Sequence, residues 1–159
     1  MNTTYNYEKD TLKHPFSGHT KVFENYSQAY QDLFVLSMLK GKKNGKYVEV
    51  GANHPQSMSN TFLLETVFGW RGFSIEIERA MCEVFNGDMA RQNHCYEADG
   101  TVFDYQTAIQ KEKWQGRIDY LSLDCEPPNI TFDVLKKFPL DEYRACLLYT
   151  SPSPRDLAQ

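Results

Sequence analysis

An α/β fold built on a parallel sheet with helices on its faces is the class this chain predicts, and three observations predict it. From Tyr47 onward, short β-rich apolar runs alternate with segments of helical period, the pattern of strands joined by crossover helices. The first run, Tyr47-Val48-Glu49-Val50, stops on Gly51-Ala52-Asn53, where a glycine lets the backbone come close to a ligand. About 25 positions later the run Phe73-Ser74-Ile75-Glu76-Ile77-Glu78 carries acids at its end, placed to accept hydrogen bonds from ribose hydroxyls. A glycine turn followed by an acid at that distance points to a nucleoside-containing cofactor.

Residues 1–25 mix Gly, Pro, His and charge without a clear period and are expected to form an irregular arm. A helix is predicted from Ser27 to Leu39. Leu33, Phe34, Leu36, Met38 and Leu39 fall mainly on one face, Ser27 suits an N-cap and Gly41 a stop. Gly45 and Lys46 lead into the first strand, which ends at Gly51. Ser59 to Phe68 reads as the next helix, with Phe62, Leu63 and Val67 toward the sheet and Gly69 closing it. Strand two spans Gly72 to Ile77, and a helix from Ala80 to Met89 follows. His94 to Asp99 is a third strand ending on an acid, and Tyr105 to Lys113 is weakly helical. Ile118 to Asp124 makes the fourth strand, and Ile130 to Phe138 a helix stopped by Pro139.

This alternation implies right-handed crossovers. Ligands of such sheets lie beyond the carboxyl ends of the strands, near the switch point. Glu49, Glu76, Asp99 and Asp124 all fall at or near those ends. The aromatic residues Phe62, Phe68, Trp70 and Phe73 are expected in the core.

With 159 residues the chain has room for one domain with a real core, and too little for two ordinary ones. A net charge of −4 leaves no basic footprint, so nucleic acid is not expected as the main partner. The N-terminus is polar, and no run reaches the roughly 18 apolar residues of a membrane span. Neither a membrane partner nor a signal segment is expected. Cys82, Cys95, Cys125 and Cys146 are scattered without a C-x-x-C pair. Buried or idle thiols in a reducing cytoplasm are the expectation.

The segment Cys146-Leu147-Leu148-Tyr149-Thr150-Ser151-Pro152-Ser153-Pro154-Arg155-Asp156 resembles the translated frame of a transposase-type sequencing adapter. A Ser/Pro linker is the alternative. On the adapter reading natural sequence stops near Arg144. The chain then divides into the arm 1–25, a truncated domain 26–144 and a non-native tail 145–159. Strand four would lack its outer neighbour along Tyr120, Leu121 and Leu123, an aggregation-prone edge. Ala145 to Thr150 has enough β-propensity to dock there as a substitute strand. Expression of the chain as written is expected to give insoluble or molten material.

Four segments in order carry a family likeness: Ser27 to Leu33 (SQAYQDL), Val48 to Asn53 (VEVGAN), Gly72 to Glu76 (GFSIE) and Ile118 to Glu126 (IDYLSLDCE). Together they resemble the FkbM-type family of S-adenosylmethionine-dependent methyltransferases, over roughly Tyr26 to Tyr143. The resemblance implies a Rossmann-like parallel sheet with flanking helices, of the class I methyltransferase type, here missing its C-terminal strands. It also implies S-adenosylmethionine as cofactor, and methyl transfer to a hydroxyl of a small molecule or glycan. Two departures stand out. Pro127-Pro128 occupies the place where many members have a glycine after the Asp-x-Glu of strand four, and His54-Pro55 replaces a later glycine of the first loop.

Carried over position by position, the resemblance puts Glu49 near the methionine ammonium, with Gly51, Ala52 and Asn53 giving the donor close backbone approach. An ordinary strand-to-helix turn with a solvated acid is the alternative. Glu76 is implied on the ribose hydroxyls, and Glu78 competes for that role because alternation puts both on one strand face. Asp99 is implied on the adenine amino group, or else is a cap or turn residue. Asp124 and Glu126 would lie near the methyl group, favouring the sulfonium and able to take a proton from a substrate hydroxyl. Their alternative is a structural pair satisfying loop N–H groups. His54 is a second base candidate or a hydrogen-bonded loop residue. Gln31 and Asp32 either cover the cofactor or cap their helix. No metal is expected, since no further carboxylate is placed beside Asp124 and Glu126.

Two rival functions are compatible with the sequence. One is a nicotinamide-dependent oxidoreductase on a Rossmann sheet, although no G-x-G-x-x-G follows strand one. The other is a non-catalytic nucleoside-binding module. Oligomeric state and the acceptor are not legible.

Overall fold

Every residue from Tyr47 to Val50 is buried, as a parallel strand covered on both faces must be. The structure, a computed structural model, describes residues 15–150. It sets this strand, β1 (Lys46–Val50), at the centre of a five-stranded parallel sheet. β2 (Arg71–Glu76) and β3 (His94–Glu97) lie on one side of it, β4 (Arg117–Leu123) and β5 (Arg144–Thr150) on the other. Val48 pairs across to Phe73 and Leu121, and Glu49 to Ser74 and Ser122.

The chain winds outward from β1 to β3, then returns to the far side of β1 for β4. Right-handed crossovers place helices on opposite faces for opposite winding directions. The helices divide accordingly. On one face α1 (Gln31–Met38) and α2 (Phe62–Phe68) set Leu33, Leu36, Leu63 and Phe68 against Tyr47 and Tyr120. α3 (Arg79–Gly87) joins them, packing Cys82 and Phe85 on Cys95 and Ala52. On the other face α4 (Tyr105–Lys111) and α5 (Pro128–Lys137) bring Tyr105, Ile109 and Val134 to Val48, Val50, Phe73 and Leu121. The result is the Rossmann-like arrangement predicted, with Phe62, Phe68, Trp70 and Phe73 all in the core.

Several local expectations need correction. α1 starts at Gln31 rather than Ser27, because Tyr30 takes a left-handed conformation (φ 60°). Ser27 still serves that start at a distance, its Oγ accepting from the Asp32 N–H at 3.2 Å. Phe34 and Met38, four residues apart, form an outward stripe, and the buried side of α1 runs through Leu33, Val35 and Leu36. In α2 the inward arc carries Leu64, Glu65 and Phe68 and leaves Val67 exposed. Gly69 closes that helix as expected, at φ 68°, where a side chain would be strained. α3 spans Arg79–Gly87, a residue earlier at its start than predicted. α5 begins at Pro128 rather than Ile130, since a proline lacks only an N–H that the first turn leaves unpaired anyway.

The described part of the arm is irregular apart from a 3₁₀ turn at His19–Lys21. It is not detached, since Phe16 and Val22 are buried and Phe16 packs edge-on against Phe68 at 6.0 Å. Residues 1–14 and 151–159 lie outside the described residues.

The fifth sheet position, which the truncated reading leaves open, is filled by β5. It pairs with β4 in the register Tyr120 to Leu147 and Leu121 to Leu148. None of its residues is buried; they alternate between exposed and half-buried. β4, by contrast, is buried from Ile118 to Leu123. β5 therefore satisfies the backbone edge of β4 without placing a fully buried side chain in the core. A register held that way rests on main-chain pairing more than on packing.

All four cysteines are free; Cys82 and Cys95 are buried, Cys125 is half-buried and Cys146 exposed. Among the described residues no helix is long and apolar enough to cross a membrane.

Candidate functional site

The carboxyl ends of β1 to β4 surround a cavity of about 470 Å³. Gly51 and Asn53 enter it from the turn after β1, Glu76 and Glu78 from the end of β2, and Asp99 from the turn after β3. Asp124 and Glu126 complete the wall from beyond β4, with Ile77, Met81 and Ile130 as apolar patches. Seven of the residues singled out in the sequence are thus brought to one place. Among the described residues the wall carries five carboxylates and no lysine or arginine.

The glycine of the first turn is required by the sheet itself. Gly51 sits at φ 83°, and a Cβ built there would lie 2.1 Å from the Asp124 carbonyl oxygen. The missing side chain lets the ends of β1 and β4 close on each other, with the Gly51 N–H bonded to Ile75 O at 2.9 Å. Gly51→Ala is therefore expected to lose about 2–5 kcal/mol of stability, from left-handed strain plus main-chain overlap. Urea unfolding would measure it, and a loss under about 1 kcal/mol would show that the strand ends separate easily.

Glu76 is 8 % exposed and held from two sides. Its Oε2 accepts the Asn53 N–H at 2.8 Å and its Oε1 the Glu78 N–H at 2.9 Å. A carboxylate has about four acceptor sites, so further sites remain on a group already fixed in place. Glu78 is exposed and makes no side-chain cap bond to α3. Asp99 is also exposed. The Thr101 hydroxyl and N–H both bond its Oδ1, at 2.7 and 2.8 Å, and hold its carboxyl below the usual carboxylate range. It is a turn residue in the cavity wall.

Three residues expected in the site do not line it. Glu49 is 1 % exposed, and its Oε2 accepts from Ser74 Oγ at 2.7 Å and Thr61 Oγ1 at 2.9 Å. The Arg91 guanidinium is 3.9 Å away. Burial pushes the Glu49 carboxyl upward, against the opposing pull of Arg91 and the two hydroxyls. The reason is register. Glu49 pairs with Ser74, two residues short of Glu76 on the same strand neighbour, which sets it about 6–7 Å deeper in the sheet. Ala52 packs on Cys82, Phe85 and Cys95. His54 ties its own turn, Nδ1 accepting from the Gln56 and Ser57 N–H groups at 3.2 and 3.0 Å.

Gln31 and Asp32 are likewise absent from the wall. Asp32 is fully buried and accepts from the Tyr26, Ser27 and Leu33 N–H groups and from the Ser27 hydroxyl. Both residues hold the start of α1; Gln31 Oε1 accepts the Ala29 N–H at 2.7 Å.

Other residues escaped the sequence reading. Arg91, in the loop between α3 and β3, is buried and bonds Glu65 at 2.7 Å and the hydroxyls of Ser59 and Thr61 at 3.1 Å each. Its guanidinium lies over the Phe85 ring, 4.2 Å from the centroid. Glu65 also accepts from Tyr47 Oη and from the Gln92 and Asn93 N–H groups. Nothing in the loop run Met89-Ala90-Arg91-Gln92-Asn93 marks Arg91 as its buried member. Asn60, just before α2, donates from Nδ2 to Asp124 Oδ2 at 3.2 Å.

Cys125 lines the cavity, but burial pushes its thiol up to about 11, so it stays protonated near neutral pH and is no thiolate nucleophile. Among the described residues no group of three or more His, Cys, Asp or Glu is arranged to hold a metal ion. The arrangement suits a ligand bearing hydroxyls and positive charge. No family model, curated protein or solved structure matches this chain.

Proposed function

We propose that the chain carries the cofactor-binding part of an FkbM-type S-adenosylmethionine-dependent methyltransferase, acting on a hydroxyl of a small molecule or glycan. One observation carries this reading: an acid-walled cavity at the strand ends, without a basic residue in its wall among the described residues. A dinucleotide would set a pyrophosphate's negative charge against these carboxylates, and β1 is followed by a loop running to Phe62 rather than directly by a helix N-terminus that could receive it. A sulfonium nucleoside brings a positive charge, which the field of Asp124, Glu126 and Glu76 favours.

When bound, S-adenosylmethionine supplies an electrophilic methyl group. The chain's own residues bind and orient. Glu76, held by Asn53 and Glu78 N–H groups, offers its free acceptor sites to the ribose hydroxyls. Asp99 is the acceptor this reading gives to the adenine amino group, and its position in the cavity wall beside Ile77 and Ile130 supports that role. Asp124 and Glu126 supply negative charge at the reacting end and are the acids able to take the acceptor hydroxyl's proton. Little covalent help is needed, because alignment and fixed charge supply much of the acceleration. Glu49, sealed beneath the wall, does not line this cavity and spends its carboxylate on Thr61 and Ser74.

Calorimetry on the full-length protein tests the donor site. Glu76→Ala should weaken S-adenosylmethionine binding by about 1–3 kcal/mol, the worth of hydrogen bonds to a charged acceptor. Glu78→Ala should do less. The reverse order would move the ribose site to Glu78, and no effect from either would sink the cofactor assignment.

A further inference from the structure

Asn60 is 3 % exposed and uses its side chain unevenly. Nδ2 donates to Asp124 Oδ2 at 3.2 Å and to Ser122 Oγ at 3.3 Å, while Oδ1 is buried without a partner among the described residues. A carboxylate oxygen accepts, so the amide turns its N–H₂ toward Asp124. The amide leaves its carbonyl oxygen unpaired, a cost set against the two bonds its nitrogen makes, one of them to the Asp124 carboxylate.

Asp124 comes one residue after β4 ends, with its main chain tied to Val50 O at 2.9 Å. Its side chain is beyond the packed part of the strand, and among the described residues Asn60 is the side chain that bonds it. Asn60 is itself clamped by its neighbours. The Ser59 and Thr61 hydroxyls both accept from Arg91, and Thr61 Oγ1 also donates to Glu49. A buried ionic network thus fixes the chain on both sides of Asn60, and the amide carries that rigidity to the cavity wall.

We propose that Asn60 is a positioning residue for Asp124, fixing the carboxylate at the end of β4 so that its charge serves a cationic ligand in the cavity. The inference rests on the S-adenosylmethionine reading and deepens it. It names the residue that governs discrimination between the charged donor and the neutral S-adenosylhomocysteine left after transfer. Those two nucleosides differ by the methyl group and the charge on sulfur, so the ratio of their affinities reports the field that Asp124 sets.

The test is calorimetric titration of the full-length protein with each nucleoside. The variants are Asn60→Ala, Asn60→Ser, Asp124→Asn and the double variant Asn60→Ala with Asp124→Asn. Both Asn60 variants should weaken S-adenosylmethionine relative to S-adenosylhomocysteine by about three- to tenfold, with S-adenosylhomocysteine affinity held within about twofold. In the double variant the Asn60 change should add nothing to Asp124→Asn, as expected of a residue acting through another. The serine variant keeps a hydroxyl among Ser59, Thr61 and Ser122 but is too short to span to Asp124, so it carries the test if alanine unfolds the chain. Equal losses for the two nucleosides, or full additivity in the double variant, overturn the proposal. Wild-type protein that binds neither nucleoside removes the donor reading and this inference together. Wild-type binding with a ratio that the variants leave unchanged removes the inference alone.

Discussion

Arg91→Ala is expected to cost about 3–5 kcal/mol of folding free energy near neutral pH, the usual penalty for breaking a buried ion pair. The Arg91 and Glu65 side chains are 1 % and 3 % exposed and 2.7 Å apart, with Glu49 at 3.9 Å from the same guanidinium. Removing the cation leaves two carboxylates buried without a countercharge. It also removes the Ser59 and Thr61 contacts and the stacking on Phe85. The loss should depend on pH in a definite direction. Burial already raises the Glu49 carboxyl above its ordinary 4.5, and Arg91 is the largest influence opposing that rise. Without it the folded-state value climbs further.

An acid raised in the folded state contributes stability that is complete below its unfolded value and is lost as pH rises through the folded one. Arg91→Ala should therefore recover part of its deficit between about pH 7 and about pH 5. Asp99 and Asp104, held low by hydrogen bonds from Thr101 and Thr107, work in the opposite direction in both proteins. The difference between the two proteins is thus the diagnostic quantity. Urea unfolding at both pH values measures it. A deficit below about 1 kcal/mol, or one that does not shrink on acidification, would show that the network is not what holds this face of the sheet.

Asp124→Asn should reduce turnover by about 10²–10⁴-fold while donor affinity falls by no more than about tenfold, if this acid takes the acceptor proton. Glu126→Gln should cost less. Glu126 is exposed beyond β4, whereas Asp124 is half-buried and held by Asn60. Formation of S-adenosylhomocysteine from a panel of hydroxyl acceptors gives the turnover, and melting curves on the same samples give the stability. Parallel loss of activity and stability in both variants would assign the two acids to satisfying loop N–H groups instead.

The alternation of strands and helices, the turn at Gly51 and the acids at the strand ends were all legible, because period, turn chemistry and strand termination are local properties of a chain. So was the core placement of Phe62, Phe68, Trp70 and Phe73, and the β-propensity that lets 145–150 pair with β4. What local signals could not carry was depth. Glu49 and Glu76 read alike as acids near strand ends, and only the pairing of Glu49 with Ser74 sinks one beneath the wall and leaves the other on it. Nor could they carry long-range pairing. Arg91 meets Glu65, and Asn60 meets Asp124, across stretches of chain whose own sequence says nothing of the partner. Val67 and Leu64 differ by less than one helical turn, and which one faces inward depended on where the sheet lay. Register, depth and buried charge pairing are relations between segments, set when the sheet assembles. Strand and helix periods belong to each segment alone, which is why they survive in the unfolded text of the chain.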